Sequence, residues 1–317
     1  MKKTCLALII TLSSLQLASS AELTSIKIAV GQKGVGETMV PEIGQQKGIF
    51  QKHGLNLDIF YTAGSGETIQ AIVGNSAQIG VATGLSGAIG AYARGAPLRI
   101  IGATFTGDTN LFWYVKADSK LNSPGDADGK TIAYSTNGSS THNAVLQMQK
   151  YAHVHFKLTA TGSAPATFTQ VMSDQIDVGW SGAPFAVEAL EQGRIKTLWR
   201  ASDIPAVKGM TSRVMVANAD YMKDHPAVTA EFLAAYRETL DLIYHSPEGA
   251  QAYAAWADIP LNVAQRTLRD FVSYEATNPD EIMGLDQAMN DAVEFKYITA
   301  PLNAAQIKEL VNIPKRQ

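Results

Sequence analysis

Four short loops rich in glycine and hydroxyl side chains carry the clearest chemistry in this 317-residue chain. They are Gly64–Gly66, Thr83–Ser86, Asn137–Thr141 and Trp180–Gly182. Each loop is predicted to lie between a strand and a helix, and a helix N-terminus presents unpaired N–H groups and a partial positive charge. Small anions bind readily there, and the hydroxyls add donors without adding formal charge. The loops therefore predict a site for a small organic anion, such as a sulfonate or a carboxylate.

Serine, threonine and asparagine also cap ordinary helices, and capping alone would explain any single loop. Four such loops, two in each half of the chain, favour a ligand site, and Asn137–Thr141 is the first candidate. The candidate ligand contacts in these loops are Ser65, Gly66, Thr83, Ser86, Asn137, Ser139, Ser140, Thr141, Trp180 and Ser181.

Three of the larger side chains have two interpretations each. Trp180 follows a predicted strand and is either an apolar platform for a ligand or one more core aromatic. Glu37 and Asp108 lie near predicted loops, where they would meet an amine or another polar hydrogen of a ligand, or else serve as ordinary surface acids.

An alternative function is suggested by Gly179–Ala183, which is one residue away from the Gly-x-Ser-x-Gly pattern of a nucleophile elbow. A hydrolase with Ser181 as nucleophile would also need an acid and then a histidine downstream. His225 and His245 are available, but no pattern singles out either one. An exported serine hydrolase that uses Ser181 is therefore the second function to test.

A unit that occurs twice, about a hundred residues apart, indicates two similar halves. Residues 70–84 and 170–182 both have the pattern of a helix end, a tight turn, a short apolar strand and a small hydroxyl residue beside glycine. Open α/β sheets bind ligands at the carboxyl ends of their strands. Two such edges that face each other would form a cleft suited to a ligand.

The elements that position these loops alternate between strands and helices, which predicts an α/β fold with largely parallel sheets. The predicted strands are 26–30, 55–60, 79–81, 98–105, 131–134 and 154–158. A helix is expected over 38–51, and the chain is helical throughout from about Pro226. The first tail helix should bury Val228, Phe232, Tyr236, Leu240 and Ile243, and the tail is expected to pack around the first half.

The N-terminus is typical of an export signal, because Lys2 and Lys3 precede an apolar run and small residues follow at 18–21. We expect cleavage near Ala21 and a soluble periplasmic protein. The single cysteine, Cys5, lies in the removed segment, so the mature chain should have no disulfide and no thiolate metal site. Removal leaves 24 basic and 29 acidic residues, which argues against a nucleic-acid partner. An effector-sensing domain of a regulator does not fit the export signal.

The order and spacing of several short motifs resemble the substrate-binding proteins of ABC transporters, specifically the nitrate/sulfonate/taurine-type group, which includes binders of the thiamine pyrimidine precursor. The motifs run to about residue 225 and are Gly48–Phe50, His53–Leu55, Gly64–Gly66, Gly74, Gln78–Gly80, Arg94–Leu98, Asp118–Ser119, Asp128–Ala133, Asp177–Gly179 and Pro184.

This resemblance implies a two-lobe type II periplasmic binding fold, with each lobe a mainly parallel sheet flanked by helices. Residues 22–111 plus 218–317 would form one lobe and residues 112–217 the other, after a signal peptide at 1–21. The lobes would be joined at Leu111–Val115 and Arg213–Ala217 and would close over the ligand. By position, the ligand would contact the loop Gly34–Glu37, with Gly36 and Glu37, and also Ser65, Thr83, Ser139–Thr141 and Trp180.

The resemblance also implies a non-catalytic monomer, with no cofactor or metal, that serves a membrane permease. Two departures from the group narrow this expectation. The loop Gly31–Glu37 has no aromatic residue, which argues against stacking of a flat ring between two aromatics. The cysteine-rich segment of the related pyrimidine-synthesising enzymes is absent, which argues against that activity.

Overall fold

The computed structural model describes residues 23–316, so the predicted signal peptide lies outside the described residues. The strands are β1 Thr24–Gly31, β2 Leu55–Thr62, β3 Ile79–Gly84, β4 Leu98–Thr106, β5 Leu111–Lys116, β6 Thr131–Tyr134, β7 Lys157–Ala160, β8 Gly179–Gly182, β9 Ile195–Arg200 and β10 Thr211–Asn218. Among residues 23–316, no helix has the length and apolar character needed to cross a bilayer.

The strands form two sheets of matching order. The first sheet is β2-β1-β3-β10-β4, in which β1 is parallel to β2 and β3, and β10 is antiparallel to both of its neighbours. In the second, β6 and β7 are parallel, and β5 lies antiparallel between β8 and β9. A parallel bridge from Ile132 to Val178 connects these two groups of strands. The second order is thus β7-β6-β8-β5-β9, so the two-lobe α/β fold is confirmed.

One strand in each sheet runs against the others, and it is the strand by which the chain enters that sheet from the other one. These strands are β5 and β10. Strand β10 pairs along its length with β3 and β4, so the segment Thr211–Ala217 builds the first sheet. The expected boundary at residue 217 is therefore one strand too late. We call residues 23–110 plus 211–316 the first lobe, and residues 111–210 the second lobe.

The helices cover both faces of the sheets. They are α1 Val40–Gln46, α2 Ile49–Lys52, α3 Ser65–Val73, α4 Leu85–Ala93, α5 Ser140–Ala152, α6 Ala164–Met172, α7 Val187–Glu191, α8 Ala219–Asp224, α9 Val228–His245, α10 Gly249–Ala257, α11 Leu261–Asp270, α12 Leu285–Glu294 and α13 Ala304–Leu310. Short 3₁₀ turns occupy Gly36–Thr38, Pro124–Ala127, Ala201–Asp203 and Glu275–Thr277.

The helical tail packs on the first sheet, as the sequence predicts. The five α9 residues expected on one face are all buried, and they share a core with β1 residues such as Ile26 and Ile28. On the opposite face, Met289 of α12 and Leu310 of α13 pack with Leu85 and Ile89 of α4. The second lobe has a separate core around Trp113. Each lobe therefore has its own hydrophobic core, which allows the two to move as units.

Two predicted elements differ from the structure. The helix expected over 38–51 is divided into a 3₁₀ turn, α1 and α2, and the break between α1 and α2 lies at Gly48, which adopts a left-handed conformation with φ of 73°. The strand expected over 154–158 begins only at Lys157. Helix α5 ends at Ala152 and is followed by His153, which has φ of 54°. The Phe156 N–H donates to Gln149 Oε1 at 2.7 Å, so the residues between α5 and β7 form a turn.

The repeated unit has the same local geometry in both lobes. The turn residue is left-handed in each copy, at Asn75 with φ of 55° and at Asp174 with φ of 59°. Upstream, the hydroxyls of Thr62 and Thr68 are 2.8 Å apart, and those of Thr161 and Thr167 are 2.6 Å apart. The repeat seen in the sequence is therefore a repeat in structure that begins before the helix.

Candidate functional site

A cavity lies between the two lobes. Each wall ends in the N-terminus of a helix, α3 on the first lobe and α5 on the second. The cavity is lined by Gly31, Gln32, Val35, Glu37, Thr38, Gly64, Ser65, Ala82, Leu111, Ser135, Ser139, Ser140, Thr141, Trp180 and Arg213.

Half of the sequence-predicted contacts line this cavity. Those that do are Glu37, Ser65, Ser139, Ser140, Thr141 and Trp180, and those that do not are Gly36, Gly66, Thr83, Ser86, Asn137 and Ser181. The loops Gly64–Gly66 and Asn137–Thr141 thus reach one shared cavity from opposite lobes, while the strand-end loops contribute less.

The hydroxyls of Thr83 and Ser181 are used inside their own lobes. Thr83 Oγ1 donates to the Val214 carbonyl at 3.0 Å, and Ser181 Oγ donates to the Phe185 carbonyl at 2.9 Å. Ser181 is fully buried within strand β8. It pairs there with Phe112 rather than standing at a strand-to-helix turn, and no histidine bonds to it among residues 23–316. This geometry is unlike that of a nucleophile elbow.

The other four residues lie beside the cavity. The Gly36 N–H donates across the lobes to the Ala183 carbonyl at 3.1 Å. Gly66 and Asn137 border an outer hollow, and Ser86 lines a neighbouring cavity. These positions shape the contact between the lobes rather than the inner wall.

Arg213, Glu37 and Asp108 form a buried cluster of three charges, of which Arg213 and Glu37 line the cavity. Arg213 Nη1 donates to Glu37 Oε1, and Arg213 Nη2 lies 3.4 Å from Asp108 Oδ1. Arg213 Nε donates to Ser140 Oγ of the second lobe at 2.8 Å. The sequence predicts Arg213 only as the first residue of a strand that crosses between the lobes. Its position beside two acids arises from the strand pairing, which no local pattern reveals.

Neutral donors complete the cluster. Asn110 Nδ2 donates to Glu37 Oε2 at 2.6 Å, and Ser212 Oγ donates to Asp108 Oδ1 at 2.5 Å. Both acids are 1% exposed, so burial raises the pKa of each carboxyl, and the Arg213 charge opposes this shift. Glu37 and Asp108 are therefore buried acids, and the interpretation of them as ordinary surface acids is wrong.

The second-lobe wall is built around the N-terminus of α5. Ser139 caps the helix, with its Oγ accepting from the His142 N–H at 3.1 Å, and Thr141 Oγ1 lies 2.8 Å from Ser139 Oγ. Trp180 is 2% exposed, and its indole N–H donates to Thr161 Oγ1 at 3.3 Å. The indole thus offers the cavity an apolar surface, while the donors come from the helix.

The lobes are closed on the cavity, and part of the contact is backbone against backbone. The Gly87 N–H donates to the Gly138 carbonyl at 3.1 Å. A Cβ on Gly84 would lie 2.2 Å from that same oxygen, and a Cβ on Gly87 would lie 2.8 Å from it. Side chains at these positions would hold the lobes apart, so glycine is required for full closure.

A histidine and two tyrosines connect the lobes at the outer edge of the α5 loop. His142 Nδ1 accepts from the Tyr297 hydroxyl of the first lobe at 2.5 Å and from the Gly138 N–H at 3.2 Å. The His142 ring stacks on Tyr134 at 4.3 Å. Burial lowers the pKa of His142 to about 4. The contact therefore uses the neutral imidazole.

We expect His142 to make the folded state less stable in acid. The unfolded side chain takes a proton near its ordinary pKa of 6.5, whereas the folded one takes it only near 4. Its contribution is therefore complete above pH 6.5 and is lost as the pH falls towards 4, by about 1–3 kcal/mol in the free energy of unfolding. Urea denaturation at pH 7 and pH 4.5, with and without His142→Gln, measures this difference.

The matched control is His155→Gln, because His155 is exposed on the same lobe. The raised pKa values of Glu37 and Asp108 act in the opposite direction and cancel in the comparison of wild type with variant. An equal loss of stability in acid for wild type and His142→Gln would contradict the assignment.

Comparisons with known proteins agree with the fold. A family model described as NMT1/THI5 like matches residues 42–250. The aliphatic sulphonate binding protein SsuA of Escherichia coli aligns with a TM-score of 0.69 and 17% identity, over 92% of this chain and 93% of that one. The alkanesulfonate-binding protein SsuA of Xanthomonas axonopodis pv. citri, bound to MOPS, aligns with a TM-score of 0.72 and 16% identity, over 92% and 99%.

The chain is also similar to a nitrate-binding protein in structure and to a curated synthase in sequence. The nitrate-binding protein NrtA of Synechocystis PCC 6803 aligns with a TM-score of 0.72 and 13% identity, over 92% of this chain and 86% of that one. A curated 4-amino-5-hydroxymethyl-2-methylpyrimidine phosphate synthase of Uromyces fabae is 23% identical over 225 residues. That match spans 66% of this chain and 64% of the synthase.

Proposed function

Because the chain belongs to the NMT1/THI5-like family, we propose that it is the substrate-binding component of an ABC importer. It would be exported to the periplasm, bind a small organic anion between its lobes, and deliver the closed complex to a membrane permease. The observation that carries this proposal is the closed cavity at which the N-termini of α3 and α5 meet. The sulfonate- and nitrate-binding proteins with this fold support the same role.

An anionic group would be held by neutral donors at the α5 end of the cavity. The first N–H groups of a helix have no acceptor within it, and α5 directs these groups and its hydroxyls at the space lined by Ser139, Ser140 and Thr141. Ser65 Oγ of α3 accepts from the Gly84 N–H at 2.9 Å, which leaves its own O–H free to donate. Closure excludes water, so each of these bonds counts for more than it would in solution.

We propose that the chain binds and does not catalyse. Among residues 23–316 no general base bonds to the buried Ser181 hydroxyl, so the geometry gives no support to the hydrolase alternative. Labelling of Ser181 by a fluorophosphonate probe, with ester turnover, would reverse this conclusion. The synthase activity of the curated relative belongs to a protein of which this chain covers under two thirds.

The α5 hydroxyls provide the test of the proposed function. A thermal-shift screen of sulfonates, carboxylates and pyrimidines finds a ligand, since binding to the native state alone raises its melting temperature. Ser139→Ala and Thr141→Ala should then each weaken binding by about 0.5–1.5 kcal/mol, the net value of one neutral hydrogen bond. Isothermal titration calorimetry measures the change.

Ser163→Ala is the matched control, because Ser163 caps α6 in the same lobe and does not line the cavity. It removes a cap of the same kind, so it should lower stability as Ser139→Ala does while leaving affinity unchanged. Unchanged affinity in both cavity variants would remove α5 from the binding site.

A further inference from the structure

We propose that the hydrogen bond between Tyr297 and His142 is a pH-sensitive latch, which holds the two lobes together near neutral pH and lets them separate in acid. The inference goes beyond the proposed function, because it concerns closure itself and does not depend on which solute binds. It comes from the outer edge of the α5 loop, where neither residue lines the cavity.

The contacts of the His142 ring determine which nitrogen takes a proton. Nδ1 accepts from the Tyr297 hydroxyl at 2.5 Å and from the Gly138 N–H at 3.2 Å. A main-chain N–H can only donate, so Nδ1 carries no hydrogen and the neutral ring holds its proton on Nε2. A second proton must therefore be added at Nδ1, where it would remove the acceptor that joins the two lobes.

The latch joins one side chain from each lobe, and opening separates them. Tyr297 follows α12 in the first lobe, and burial raises the pKa of its hydroxyl, which therefore stays a donor. His142 stacks on Tyr134 of its own lobe at 4.3 Å, so the ring keeps this support when the lobes separate. Opening removes the Tyr297 bond and admits water to the ring, and both changes favour protonation of His142.

Two basic residues of the first lobe add to the preference for a neutral ring. Arg94, at the end of α4, and Lys296, which precedes Tyr297, line the outer hollow together with Gly138. A positive charge on His142 in the closed form would lie near these two like charges, which disfavours it.

The acids of the facing helix α12 do not compensate such a charge. Glu294 pairs with Lys150 of α5 at 2.8 Å, and Asp291 is buried. Burial raises the pKa of Asp291, as it does for the two carboxyls beside Arg213, so these acids favour the closed form as the pH falls. Their effect is opposite in sign to that of His142 and is common to all the variants compared below.

The direction of the pH effect follows from the pKa of His142 in the two forms. Burial lowers this pKa to about 4 in the closed form, whereas an exposed imidazole has its ordinary value of 6.5. The closed form therefore binds fewer protons between these values, and acid favours the open form. From pH 7.5 to pH 5, the ratio of closed to open chains should fall by about ten- to thirtyfold.

Pulsed electron paramagnetic resonance on the unliganded chain measures this ratio without any solute. Nitroxide labels at Tyr151→Cys in the second lobe and Ala304→Cys in the first lobe report the distance between the lobes, since both positions are exposed. Cys5→Ser removes the single native thiol. We expect a short distance at pH 7.5 and a growing longer one at pH 5, while circular dichroism shows that the chain stays folded.

Two variants separate the effect of the proton from that of the hydrogen bond. His142→Asn places an amide oxygen near the position of Nδ1 and does not titrate, so acid should no longer favour the open form. Tyr297→Phe removes the donor at every pH, so the ratio of closed to open chains should already fall by about two- to tenfold at pH 7.5.

Tyr92→Phe and His155→Asn are the matched controls. Tyr92 donates to Glu309 at 2.8 Å within the first lobe, and His155 is exposed, so neither variant should change the distances.

Equal populations in the wild type at both pH values would overturn the inference, whether the chain is closed or open throughout. An undiminished response to acid in His142→Asn, or wild-type distances in Tyr297→Phe at pH 7.5, would overturn it as well. Failure of every solute to bind would contradict the proposed function and leave this measurement unaffected.

Discussion

Replacing Gly87 by alanine should weaken ligand binding by about ten- to a hundredfold while the chain remains folded. The added Cβ would lie 2.8 Å from the Gly138 carbonyl oxygen of the second lobe, a separation that real Cβ atoms do not adopt. Relief requires the lobes to stay slightly apart, which opens the cavity to water. Within its own lobe, Gly87 lies in α4, where alanine is a better helix former than glycine.

The experiment separates closure from folding. The melting temperature of the unliganded variant should stay close to that of the wild type, because inside its own lobe the added Cβ meets only the flexible end of Ile69, at 3.2 Å. Titration calorimetry should show the loss of affinity. Gly66→Ala is the control, because its Cβ would meet Thr136 of the second lobe at an ordinary 3.4 Å and keep the Gly66 N–H bond to Thr136 Oγ1. Wild-type affinity in Gly87→Ala would show that the Gly87–Gly138 contact does not limit closure.

Replacing Arg213 by methionine should lower the free energy of unfolding by about 3–5 kcal/mol at pH 7. The change leaves Glu37 and Asp108 buried without a cation, and each is 1% exposed. Urea denaturation measures the loss. Arg266→Met is the control, because Arg266 pairs with Glu191 across the lobes at 2.7 Å but is half exposed, so its loss should cost less than about 1 kcal/mol.

The pH dependence distinguishes lost charge from lost packing in that variant. Burial already raises the pKa of both carboxyls, and removal of Arg213 raises each one further. A carboxyl whose folded pKa lies above its unfolded value binds more protons in the folded state, so the variant should regain stability as the pH falls from 7 towards 5. If the free energy of unfolding of the variant is lower than that of the wild type by the same amount at both pH values, the loss comes from packing of the arginine side chain and not from its charge.

Local patterns in the sequence were sufficient to predict most of the fold. Helix α9 could be predicted because its buried residues recur every three or four positions. Strand β2 could be predicted because apolar and polar residues alternate along it. The break at Gly48 was harder, since glycine within an apolar run is compatible with either a continuous helix or a left-handed stop. The C-terminal boundary of the second lobe depends on the pairing of β10 with β3 and β4, and these strands are far from β10 in the sequence.

The candidate site was predictable where it is local. Ser139, Ser140 and Thr141 follow from the helix-start pattern, and they line the cavity. Arg213 is separated from Glu37 by more than half of the chain, and only the order of strands brings them together. Thr83 and Ser181 carry the same kind of signal as Ser139, but strand geometry turns their hydroxyls inward.

The approach of Gly87 to Gly138 has a consequence for the range of solutes. A stop made of main-chain atoms has no rotamers, so it cannot yield by a small adjustment as a side chain would. The width of the closed cleft is therefore set by the contact between these two main-chain segments, which fixes the smallest separation of the lobes. Solutes too bulky for the remaining space would prevent the contact between Gly87 and Gly138 from forming. The size of a solute would therefore affect closure at residues that the solute does not contact.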